Sequence, residues 1–130
     1  MATGFPSATG DILTAAMYNG LVTFDVSGSD QTADYTAVLG DSYQKLVYMN
    51  KATAIALKIP TNASVAFPVG TVLNVLNKGA GTCTISAVTS GTTTIVSAGA
   101  VSASPTLGTA KMAACIKVAT DTWYVVGAIA

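Results

Sequence analysis

The chain has 130 residues, enough for one ordinary domain and too few for two. Charged residues make up 9%, against about 25% in an average soluble domain, and 51% are hydrophobic. Six lysines balance six aspartates with no Arg, Glu or His, which excludes a histidine-based catalytic dyad, a tetrahedral zinc site and a basic stripe for nucleic acid.

Residues 1–10 carry Gly4, Pro6, Ser7, Thr9 and Gly10 and read as an extended arm. The segment Asp11–Gly20 predicts a helix: Asp11 or Thr14 can cap it, Ala15, Ala16 and Met17 favour it, and Asn19-Gly20 suits its end. Leu13, Met17 and Leu21 recur at helical spacing, and Ser27-Gly28-Ser29-Asp30 then breaks the chain. From Gln31 onward the period changes to two, with turn residues every 8–12 positions. The spacing predicts strands over 34–39, 45–49, 54–59, 72–77, 83–88, 93–97, 112–119 and 123–129. The expected fold is all-β: an antiparallel β-sandwich or jelly-roll-like domain over 31–130, with an N-terminal arm and one short helix in 1–30.

Several strands, such as Trp123-Tyr124-Val125-Val126, are apolar on both faces. Such strands need cover on both sides, from a second sheet or from neighbouring subunits. No stretch approaches the roughly 18 uninterrupted apolar residues of a membrane helix, so no membrane partner is expected. The opening residues have neither a basic region nor an apolar run and do not read as a signal peptide. A shortage of charge together with two-sided apolar strands points to association with copies of the same chain.

The alternation pairs Cys83 with Ile85 on one face and Cys115 with Lys111 and Lys117 on another, opposite Met112 and Ile116. On that pattern Cys83 faces inward and Cys115 outward, and no disulfide is expected. The six scattered aspartates fall mostly in turns and offer no paired carboxylates, and no run of them could cage calcium. Gly79-Ala80-Gly81-Thr82 lacks the Gly-Lys-Ser/Thr ending of a phosphate loop and reads as a hairpin turn. The expectation is therefore no enzyme, no cofactor, no metal and no nucleic acid.

Two stretches carry a resemblance. The opening from Phe5-Pro6 through Gly10-Asp11-Ile12-Leu13-Thr14-Ala15-Ala16-Met17-Tyr18-Asn19 is similar to the start of many fibre, collar and other virion proteins of tailed phages. The remainder resembles a small β-domain of phage fibre and decoration proteins. It does so through Leu39 to Asn50, Ile59 with Val65 to Thr71, Val75 to Ile85, and Trp123 to Gly127, in that order.

The resemblance implies a trimeric structural module, and a free-standing module suits a capsid decoration (cement) protein. Its partners would be further copies of itself and the major capsid protein or another virion protein. It would sit on the capsid surface of the virion after synthesis in the bacterial host cytoplasm. On this reading Phe5, Ile12, Leu13, Met17 and Leu21 would clamp neighbours, and Tyr48, Val65, Phe67, Trp123 and Tyr124 would supply trimer contacts. A host-receptor or glycan-binding fibre or spike module, served by loops near Asn50, Asn62 and Asn77, is the alternative, with a tail or neck connector as the third.

Overall fold

The computed structural model describes residues 23–129 and, before them, Ala15, which is helical and exposed. The rest of the expected arm and helix, including Phe5, Ile12, Leu13, Met17 and Leu21, lies outside the described residues. The described chain forms β1 (Asp30–Gln31), β2 (Tyr35–Thr36), β3 (Leu46–Met49), β4 (Ile55–Ile59), β5 (Val72–Asn77), β6 (Cys83–Ala87) and β7 (Thr94–Ser97). It continues with β8 (Ala100–Val101), β9 (Thr106–Leu107), β10 (Lys111–Ala119) and β11 (Thr122–Gly127).

These strands make two sheets, one of seven strands in the order β1-β3-β5-β10-β11-β7-β8 and one of four in the order β2-β4-β6-β9. From β1 to β6 the chain alternates strictly between them. Neighbours within a sheet are therefore one full turn of the coil apart and run the same way. The β1–β3, β3–β5, β2–β4 and β4–β6 pairings are all parallel. β7 keeps this direction but is displaced two places, because the antiparallel β10–β11 hairpin inserts between it and β5. The expected antiparallel order is thus corrected to a mixed one. Hairpin turns dictate antiparallel neighbours, whereas crossovers to a second sheet return the strand in parallel.

The inward residues of both sheets meet in one core. Val47, Val75 and Ala113 line up across the large sheet, as do Leu73, Cys115 and Val125. Opposite them, Ile55, Cys83 and Leu107 line up across the small sheet, beside Leu57 and Ile85. Trp123 meets Phe67 edge-on, with ring centroids 5.5 Å apart, and both rings are buried. Burying each aromatic ring contributes roughly 2–3 kcal/mol relative to exposure.

The corners of the coil are stacked backbone on backbone. Gly81 N–H donates to the Lys51 carbonyl at 2.9 Å, Lys78 N–H to Met49 at 2.7 Å, and Ile55 N–H to Thr82 at 3.1 Å. Gly79 and Gly81 lie where any side chain would collide with the Lys51 and Thr53 main chain. Gly79-Ala80-Gly81 is therefore the tight corner between β5 and β6, which lie in different sheets, and not a hairpin turn. Asn77, fully buried, seals this corner: its Nδ2 donates to the Gly81 and Leu107 carbonyls at 2.9 and 2.8 Å, and its Oδ1 accepts Gly79 N–H at 3.0 Å.

Where the pattern predicts a strand over 34–39, the chain gives only Tyr35–Thr36 and then a 3-10 helix, Leu39–Ser42. Asp41, fully buried, turns it by accepting the Tyr35 hydroxyl at 2.7 Å and Val38 N–H at 2.9 Å through Oδ2. Its Oδ1 has no hydrogen-bond partner but lies 3.7 Å from Lys45 Nζ, within ion-pair range.

Candidate functional site

The two sheets have chemically opposite outer faces. On the small sheet the outward rows are Thr36–Lys58–Ser86 and Ala56–Thr84–Thr106, short and polar with a lysine among them. On the large sheet the outward rows are Asp30–Tyr48–Leu76–Met112, Leu46–Asn74–Ala114–Val126 and Val72–Ile116–Tyr124–Val96–Val101. Of these large-sheet positions only Asp30, at the β1 edge, is charged at neutral pH, and Lys78 pairs with it at 2.8 Å. Tyr124 is 45% exposed, Val126 50% and Val101 70%, with Met112 and Val72 also open.

β10 shows why the face is apolar. Its alternation is inverted relative to expectation: Met112, Ala114 and Ile116 point out, while Ala113, Cys115 and Lys117 point into the core. Cys115 is therefore buried, not outward, and both cysteines are free thiols. Burial pushes the Cys115 thiol up to about 12 and raises Cys83 as well. Lys117 can face inward because oxygens await it there. Its Nζ donates to Asn62 Oδ1 and to the Phe67 carbonyl, both at 2.6 Å.

The segment preceding β1 runs along one edge of this face. Asp25 bridges to Lys45, Leu46 N–H donates to the Asp25 carbonyl at 3.0 Å, and the Tyr48 hydroxyl donates to the Val26 carbonyl at 2.9 Å. Phe24, Val72 and Asn74 line an open groove there. Leu46 is buried but stands apart from the shared core, as its outward register requires.

The described residues expected to make contacts separate into two groups. Tyr124 lies open on the outer face, and Tyr48 is half-buried there with Lys78 Nζ 4.7 Å over its ring. Phe67 and Trp123 are enclosed in the chain's own core, and Val65 packs against it. Alternation alone missed Val72, Met112 and Val126, because it does not say which face of a two-sided strand turns outward. The asparagines expected to serve a glycan site are engaged internally. Asn50 donates to Asp30 at 2.9 Å, Asn62 accepts Lys117, and Asn77 seals the corner.

Among the described residues, no three His, Cys, Asp or Glu side chains gather as a metal site, and no helix is long and apolar enough to cross a membrane. No family model matches the sequence, no curated protein matches it, and no solved structure matches the fold.

Proposed function

We propose that this chain is a structural, non-catalytic building block whose large-sheet outer face packs against further copies of itself. In its most specific form it is a capsid decoration protein of a tailed phage, on the virion surface, trimeric and bound to the major capsid protein. The two-sheet core supports a sandwich-like description of the module. The observation that carries the proposal is the apolar outer face across β5, β10, β11 and β7, with the Lys78–Asp30 ion pair at its β1 edge, set opposite a polar face on the small sheet. Exposed apolar patches of that continuity mark interaction surfaces.

Magnitude limits how that face is used. Four strands spaced ~4.8 Å apart and about five residues long at ~3.3 Å each project to roughly 300 Å². A standard interface takes about 800 Å² from each partner, so the strands alone supply less than half. Val101 and the edge segment bearing Phe24 and Val26 extend the same face.

Light scattering on the purified full chain tests the self-association, with a trimer expected. A monomer at micromolar concentration overturns it. Quantitative mass spectrometry of purified virions tests the specific reading: high copy number supports decoration, and low copy number moves the protein to a fibre or connector.

A further inference from the structure

Lys117 is 2% exposed, and the partners of its ammonium are neutral: the Asn62 side-chain carbonyl and the Phe67 main-chain carbonyl, each at 2.6 Å. The ion pairs formed among the described residues are Lys45–Asp41 and Lys78–Asp30, so Lys117 stands outside them. Burying a lysine without a counter-ion is costly, and long cationic side chains ordinarily reach out to water. Here β10 instead carries the amine through the core onto a carboxamide.

Both reactants are held. Lys117 lies in the central strand pairing, opposite Trp123, and its Nζ is 6.0 Å from the Trp123 ring centre. Phe67 closes against the same ring. Asn62 is fixed by its own backbone N–H, which donates to Asp121 Oδ1 at 2.8 Å, and Asp121 also accepts the Thr93 hydroxyl at 3.4 Å. The hydrogen bond holds the amine against the carboxamide oxygen, one bond length from the carbon it would attack. Reaction requires the nitrogen to turn its lone pair from the oxygen side onto that carbon.

We propose that Lys117 and Asn62 condense into an intramolecular isopeptide bond. The Lys117 ammonium passes one proton to Asn62 Nδ2 and attacks Cγ as the neutral amine; as the Cγ–Nδ2 bond breaks, a second proton follows from Nζ and Nδ2 leaves as ammonium. Written overall, a lysine ammonium and an asparagine carboxamide become one secondary amide and one ammonium ion. Atoms and charge balance without oxidant, reductant or cofactor. The bond staples β10 to the connection between β4 and β5, across 55 residues of sequence. It removes the buried charge and does not depend on the assembly reading.

The test is the intact mass of the folded full chain, followed by digestion and tandem mass spectrometry. The expected result is a population one ammonia lighter than the sequence, with a branched peptide joining Lys117 to Asn62. Lys117→Arg should restore the sequence mass. Mapping the wild-type linkage needs no variant, so a misfolded substitution leaves the test intact. An intact mass equal to the sequence overturns the proposal. So does an ammonia loss that persists in Lys117→Arg or maps elsewhere, for example to a succinimide at Asn19-Gly20.

Discussion

Gly81 lies so close to Thr53 that a methyl group on its Cα would overlap the Thr53 carbonyl, and Gly79 stands in the same relation to Lys51. The clash is with backbone, which cannot swing aside as a flexible side chain can. Gly81→Ala should therefore cost about 2–3 kcal/mol or more, at the upper end of overpacking penalties. Gly40, with nothing near its missing side chain, should tolerate alanine within about 0.5 kcal/mol. Denaturant unfolding of the two variants measures the contrast. Equal stabilities would mean that the corners are not stacked.

Tyr124 and Trp123 are adjacent in sequence and opposite in role: one ring is open on the outer face, and the other is buried. Tyr124→Lys or Val126→Lys should dissolve the oligomer while moving the unfolding free energy of the monomer by less than about 1 kcal/mol. Trp123→Ala should cost about 3–5 kcal/mol, as large aromatic deletions in cores do. Light scattering alongside unfolding separates the two effects. An oligomer indifferent to lysine at 124 and 126 would move the interface elsewhere.

Asn77 should be among the least replaceable polar residues. Asn77→Ala leaves the Gly81 and Leu107 carbonyls without these donors, and Gly79 N–H without this acceptor, at a fully buried position. With about 1–3 kcal/mol for each buried group left unsatisfied, a loss of at least ~3 kcal/mol is expected. Amide hydrogen exchange should show the loss first at Gly79 and Gly81.

Alkaline pH should weaken the fold through its thiols. Burial holds Cys115 neutral up to about 12, whereas the same thiol in the unfolded chain ionises near its ordinary value of 9.0. The unfolded state thus releases a proton that the folded state keeps. Stability is undiminished below pH 9 and falls as pH rises towards 12, by up to about 1.4 kcal/mol per pH unit for one group. Tyr35, raised by burial and by its bond to Asp41, adds a loss of the same sign above its ordinary 10.0. Cys115→Ala should flatten the dependence between pH 9 and 12, read from unfolding midpoints across that range.

Most strand positions were legible from alternation and turn chemistry. Strands 46–49, 55–59, 72–77, 83–87, 94–97, 111–119 and 122–127 fall within a residue or two of the expected spans. The pairs at 30–31, 100–101 and 106–107 were missed, because two residues carry no period. The expected strand stops short because Ala37 N–H makes the last bond to β4, at the Lys58 carbonyl, and Asp41 then takes up Val38 N–H.

Local sequence, then, determined the scarcity of charge, the period-two strands and the positions of the turns, since each depends on residues a few positions apart. The glycine corners instead answer to the Lys51 and Thr53 main chain 28 positions away. Tertiary structure alone decided the parallel coil and the orientation of β10. Alternation sorts residues into two faces but neither names a strand's neighbours nor says which face is inside. Lys117 points inward because Asn62 and Phe67, 55 and 50 positions away, place carbonyl oxygens in its path. With the lysine taken in, Met112 and Ile116 on the opposite side are left to cover the outside of the sheet.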